Sequence, residues 1–267
     1  MMKSDTGSGG RYRENRFFLK DTVRQLVDFS RTGQSRGLPP PPLQKPCPAE
    51  AELFDLPDGA AALSELARLP VGEAIIRRES RRDFAPEPFS AGELSALLWA
   101  VQGVREVLGP AVALRAVPSA GARHAFETYL AAVRVEGLEP GIYRYLPFDG
   151  RLVRLSADRE AGPRAARACL GQGFVAAAGA VFFFTALPAR MEWRYGRAAH
   201  KVIAIDAGHV GQNLYLAAEA LRAGVCAIAA YDQAACDRLL GVDGEEEFTV
   251  YIAAAGKLNL KTRRRKK

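Results

Sequence analysis

The chain has little with which to bind a transition metal. It carries three histidines, His124, His200 and His209, and four scattered cysteines, Cys47, Cys169, Cys226 and Cys236. Neither H-E-x-x-H nor C-x-x-C occurs, so no metal site is expected. The same cysteine usage argues against a disulfide framework and for a reducing, cytoplasmic setting. The polar, glycine-rich start lacks the apolar stretch of a secretory signal. The longest apolar run, Phe174 to Leu187, has 14 residues. A membrane-spanning helix needs about 20, so no membrane association is expected. The Phe182-Phe183-Phe184 centre of that run suits a strand buried on both faces.

What is present reads as an ordinary globular protein, with 48% apolar and 25% charged residues. The net charge of +7 is concentrated at one end, in the run Lys261 to Lys267. Such a tail is expected to be solvated and to attract polyanions only non-specifically. No basic stripe with interleaved aromatics accompanies it, so no specific nucleic-acid partner is expected.

Turn and cap residues divide the chain into an extension with a proline-rich arm (1–62), a main domain (63–260) and the basic tail (261–267). Residues 1–12 read as disordered and residues 15–30 show helix-like spacing. Pro39 to Pro42 force extended polyproline geometry, which suits an arm laid over the protein's own surface. Helices are expected over 63–69 and 72–78, then from Ser90, where Glu93 completes a capping box. Further helices are expected over 158–170, 197–222 and 233–240. Strands are expected over 126–135, 141–145, 152–155, 181–187, 225–230 and 248–255. The 197–222 helix is apolar nearly all round and should be central, with Gly224 as its cap. This order, without a strict strand–helix–strand repeat, indicates an α+β fold. Gly171-Gln172-Gly173 imitates a dinucleotide turn, but it follows a helix and precedes a strand, the reverse of the required order.

Four segments carry candidate chemistry. Arg77-Arg78-Glu79-Ser80-Arg81-Arg82-Asp83-Phe84 packs guanidinium forks and a hydroxyl at a helix end, a donor set suited to phosphate. Pro118-Ser119-Ala120-Gly121-Ala122-Arg123-His124 is a small-residue loop. Asp206, His209, Gln212 and Asn213 place polar groups in an otherwise apolar helix, which costs free energy unless they are paired. Ala255-Gly256-Lys257 closes the last strand.

The order and spacing of these segments resemble the flavin-dependent nitroreductase superfamily, and most closely its SagB-type dehydrogenase branch. The resemblance covers roughly residues 65–257. It implies a mostly antiparallel central sheet flanked by helices, a homodimer, and FMN as cofactor. Arg78, Ser80 and Arg82 match the superfamily's Arg-x-Ser-x-Arg pattern for the ribityl chain and phosphate; Glu79 departs from it and is expected to face solvent and pair with Arg81. Pro118, Ser119 and Gly121 match the loop over the flavin ring. Gly208-His209-x-x-Gln212-Asn213-Leu214 resembles the dimer-core helix, with His209 in the core or interface and Gln212 on the cofactor. Ala229 and Ala230 align with the strand end that offers backbone N–H groups to the ring, and Lys257 with a basic residue near it. Azoline dehydrogenases of the SagB type carry a Lys-Tyr pair where this chain has Arg194-Tyr195. A guanidinium does not release a proton at ordinary pH, whereas a phenol can serve as acid or base. Tyr195 is therefore the candidate proton-transfer residue and Arg194 its orienter; the alternative is that Trp193 and Tyr195 only pack a helix start. The implied activity is dehydrogenation of a heterocycle in a peptide-derived substrate, or reduction of small nitro compounds or quinones with NAD(P)H. A flavin-binding protein without turnover and a polyanion-binding protein are the readings from other classes.

Overall fold

The computed structural model describes residues 12–259. Residues 1–11 and the basic tail 261–267 lie outside the described residues, and so do the expectations of disorder and polyanion contact placed on them.

One seven-stranded sheet forms the centre. Its strands are β1 (Leu53–Asp55), β4 (Phe126–Ala132), β5 (Gly141–Leu146), β6 (Arg151–Ala157), β7 (Ala180–Ala186), β8 (Ala223–Ile228) and β9 (Phe248–Lys257), in the order β1-β6-β5-β4-β7-β9-β8. Every neighbouring pair is antiparallel. A small hairpin of β2 (Val104–Val107) and β3 (Ala113–Arg115) stands apart from it.

The helices are α1 (Arg13–Leu19), α2 (Gly59–Leu66), α3 (Val71–Arg77), α4 (Ala91–Gln102), α5 (Ala161–Ala168), α6 (Gly173–Ala176), α7 (Ala189–Tyr195), α8 (Ala199–Ala220) and α9 (Gln233–Leu240). Two helical layers sandwich the sheet, and the alternation of β7 shows how. Phe182 and Phe184 join the cluster built with α4 and α8, while Val181 and Phe183 join the one built with α5, α6 and α9. All four are fully buried, as a two-faced strand requires. Helix α4 starts at the expected capping box: Ser90 Oγ accepts from the Glu93 N–H, and the Glu93 carboxylate accepts from the Ser90 N–H.

Two sequence expectations shift. The boundary at 62/63 falls inside α2, and β1 pairs with β6 as a sheet edge, so the extension continues into the main domain. Gly224 does not cap the long helix. Helix α8 stops at Ala220, and Arg222 takes the left-handed turn with φ 56°. Gly224 lies inside β8 because space is short: a Cβ there would meet Leu258 at 2.9 Å and the Cβ of Arg81 at 3.0 Å. The outer side of β8 receives the segment after α3, through a parallel bridge from Ser80 to Val225 and an Arg81 N–H donated to the Val225 carbonyl.

Helix α8 buries Ile203, Asp206, Ala207, Val210, Gly211 and Leu214 and leaves Ala204, Ile205, Gly208, His209 and Gln212 exposed. His209 therefore sits on the outer stripe of the protomer rather than in its core. Among the described residues no helix is long and apolar enough to cross a membrane.

Candidate active site

The arginine run sorts itself by partner. Arg77 pairs with Glu73 one turn earlier, and Arg81 pairs with Glu79 and with both oxygens of Glu219 on α8. Arg78 and Arg82 have no carboxylate partner among the described residues. Arg78 lies 5.2 Å from the centre of the Tyr215 ring, and Arg82 lies 5.6 Å from that of Phe174. The Tyr215 hydroxyl is shared with Ser80 Oγ at 2.9 Å and accepts the Ala227 N–H at 2.8 Å. Arg82 also reaches the Cys226 thiol, whose pKa burial raises and this guanidinium draws back down. Two cations without a carboxylate partner among the described residues thus lie near the Tyr215 ring and the Cys226 thiol, with the Ser80 hydroxyl on Tyr215. Such a set fits a phosphate, which satisfies guanidinium forks without another buried carboxylate. Tyr215 organises it and was invisible in the sequence, being one aromatic in an apolar helix.

Lys257 does not join this group. Its ammonium pairs with Glu93 of the α4 cap and lies 5.9 Å from the Phe89 ring centre. Ala229 and Ala230 follow the last residue of β8 and are exposed, and the Ala230 carbonyl accepts from Gln172.

The second group forms where the Pro118–Ala122 loop meets α7. Gly121 has φ 60°, and a Cβ on it would lie 2.6 Å from the Tyr195 hydroxyl oxygen and 2.8 Å from Arg194 Nε. Both the left-handed backbone and the close approach require glycine here. The structure thereby places Gly121 directly beside Arg194 and Tyr195, 70-odd residues away in sequence. Asp206 supports the loop from below. Its carboxylate is 3% exposed; burial raises its pKa, and the nearby Ser119 hydroxyl and Ala120 N–H draw it back down. One of its oxygens has no partner. Ser119 Oγ lies 3.0 Å from the His124 N–H. The His124 ring, 2.9 Å from the Ala113 carbonyl, is pushed down to about 3 by burial and by nearby Arg115, so it is neutral and donates from Nε2.

Behind the loop lies a buried charge network that sequence reasoning missed. Glu127 accepts from Arg190, lies 3.6 Å from Arg144, and accepts the Lys45 N–H at 2.8 Å. Arg123 donates to the Arg190 carbonyl at 2.9 Å and stacks on Trp193 at 4.8 Å. Interior charges scattered along a sequence carry no periodic signal, and the available hint was only that charged residues interrupt buried strands.

The Nitroreductase family profile matches residues 75–257, a span that takes in the arginine cradle, the Pro118–Ala122 loop, α8 and β9. The chain belongs to the nitroreductase family. It is therefore an oxidoreductase, and membership implies a flavin cofactor. A Methanocaldococcus jannaschii protein with the provisional name nitroreductase is 34% identical over 169 residues, 63% of this chain and 83% of that protein. A provisionally named nitroreductase of Ralstonia eutropha aligns at TM-score 0.61 and 24% identity, over 82% of this chain and 98% of its own. One from Anabaena variabilis aligns equally well over 80% of this chain, which spans only 45% of that longer chain. The E. coli microcin synthetase McbBCD complex, with truncated pro-MccB17 bound, aligns at TM-score 0.57 and 17% identity, over 93% of this chain and 97% of that one. These structural likenesses establish the fold.

Proposed function

We propose that this chain is an FMN-dependent oxidoreductase of the SagB type, a dehydrogenase of a heterocycle in a peptide-derived substrate. The observation that carries the reading is the contact of Tyr195 and Arg194 with the Gly121 loop, which sets a proton-transfer group beside the loop expected to cover the flavin. When bound, FMN supplies hydride acceptance and release. Arg78, Arg82 and Ser80 hold its phosphate and ribityl chain, with Tyr215 as their support. Pro118, Ser119 and Gly121 line its ring, Ala229 and Ala230 offer main-chain donors, and Gln212 contributes from the outer stripe of α8. Lys257 contributes its charge at the end of β9, restrained by Glu93. Tyr195 moves a proton at its phenolic oxygen while Arg194 orients it. The fold likeness to the McbBCD chain, whose complex holds a pro-peptide, supports a peptide-derived substrate. A second reading is reduction of nitro compounds or quinones by NAD(P)H. It is favoured by the arginine at 194, because that chemistry asks less of a protein-borne base.

The visible spectrum of the purified protein tests the cofactor, with bands expected near roughly 370 and 450 nm for oxidised flavin. Arg78→Ala removes one charge-assisted contact of about 1.5–3 kcal/mol. FMN should then dissociate about 10- to 100-fold more readily on dilution. Unchanged occupancy would remove Arg78 from the cradle.

The exposed stripe of α8 supports a homodimer. Ile205, 48% exposed, lies at its centre with Ala204, Gly208, His209 and Gln212 around it, and an apolar helix face requires a cover. Light scattering at micromolar concentration should report twice the chain mass of 28.9 kDa. A monomer that retains FMN would refute the dimer.

A further inference from the structure

The proline-rich arm is held as a peptide ligand would be. The Pro42 carbonyl accepts from Arg190 at 2.8 Å and the Leu43 carbonyl from Arg115 at 2.8 Å. Arg144 donates to the carbonyls of Lys45 at 2.9 Å and Pro46 at 2.8 Å. Arg123 reaches toward Pro41 at 3.4 Å. All four arginines are buried. The chemistry is matched on both sides. A guanidinium has only donors, and the peptide units joining Pro41 to Pro42 and Lys45 to Pro46 have only an acceptor. An ordinary extended strand would bring N–H groups that a wall of arginines cannot accept. Of the N–H groups the arm does carry, that of Lys45 is received by the Glu127 carboxylate. The floor of the main domain is thus a trough that reads the main chain of a proline-rich segment.

The same arm clamps α7. The Gln34 N–H donates to the Trp193 carbonyl at 2.9 Å, and Trp193 Nε1 donates back to the Leu38 carbonyl at 3.0 Å. Gly33 lies so close to the indole that a Cβ on it would be 2.5 Å from Cδ1 and 3.1 Å from Nε1. Arg190, at the start of α7, is tied to Pro42, and Arg123, which follows the Gly121 loop, is tied to the Arg190 carbonyl and the Trp193 ring. Tyr195 ends this helix. Its approach to Gly121 is therefore fixed from outside by residues 33–46 and from inside by Arg123.

We propose that residues 33–46 form a cis-bound peptide strap, seated in an arginine-walled trough, that positions Tyr195 against the Gly121 loop. Tyr195 itself is the group that moves a proton under the proposed function, so the strap deepens that reading; the trough and clamp stand on geometry alone. Residues 33–46 are positioning residues.

Gly33→Ala is the wedge that tests this. Its backbone needs no special conformation, so the added methyl acts only on the rigid Trp193 ring. The change is made in the full chain carrying Trp99→Phe, which leaves Trp193 as the sole emitter of the two tryptophans. The expected result has three parts. Trp193 emission shifts to the red and becomes more open to acrylamide. Backbone hydrogen exchange quickens in 33–46 and 189–196 but stays at the parent rate in β7 and β9. Flavin reduction by a thiazoline-containing model peptide, followed by bleaching near about 450 nm, slows about 10-fold with FMN occupancy unchanged. A general loss of structure would instead quicken exchange in β7 and β9, and that outcome counts against a positioning role. Parent-like emission and exchange overturn the clamp. Released emission and exchange with an unchanged reduction rate overturn the positioning of Tyr195. If the parent itself carries no flavin, the proposed function fails, while emission and exchange still decide the strap.

Discussion

Tyr195→Phe should leave the fold and bound FMN intact and slow substrate-driven flavin reduction about 100-fold or more, the scale of general acid–base catalysis. The change deletes one oxygen atom. That oxygen lies against Gly121, beside the Arg194 guanidinium. The effect should therefore fall on rate and not on stability. Stopped-flow reduction of the flavin in both proteins gives the comparison, with the visible spectrum confirming equal loading. Arg194→Lys is the informative companion. A lysine can release its proton when desolvated, as arginine cannot, so the lysine variant should retain turnover and change its dependence on pH. An unaltered rate in Tyr195→Phe would make Tyr195 a packing residue and favour the nitro- or quinone-reductase reading.

Glu127→Gln should cost about 3–5 kcal/mol of stability, the penalty for removing one partner from a buried ion pair. Glu127 and Arg190 are 3% and 2% exposed, and Arg144 sits on the other carboxylate oxygen. The amide leaves two buried guanidiniums with carbonyl oxygens alone. Thermal unfolding should move down by roughly 10 °C for a chain of this size. A loss under about 1 kcal/mol would mean that the arm's carbonyls carry the compensation and that the carboxylate is incidental.

The elements were legible where their physics is local. The Ser90–Glu93 capping box fixed the start of α4 to the residue, the three phenylalanines of β7 announced a strand with two buried faces, and 233–240 reads as a helix at its exact bounds. The end of α8 was misread because Gly224 is required by the approach of Leu258 and Arg81, a contact between distant segments that no local pattern encodes. The cradle was legible as a cluster of cations. Which arginines remain without carboxylates was not, because Glu219 lies 138 residues from Arg81. The proline arm was visible as an arm, but its seat was not. Arg115, Arg123, Arg144 and Arg190 look like isolated surface charges until the fold turns them to one side.

The loop that carries Arg78, Ser80 and Arg82 also ends the sheet. Strand β8 is its last strand, and its outer carbonyl at Val225 is taken by Arg81 while Ser80 bridges beside it. An unpaired strand edge is a template for joining another chain. The residues proposed to hold phosphate are thus also the guard of the open edge, and Arg81, tied to Glu219, fastens that guard to α8. Losing the loop would uncover adhesive backbone and remove the proposed anion site, so ligand retention and resistance to self-association would share one segment of chain.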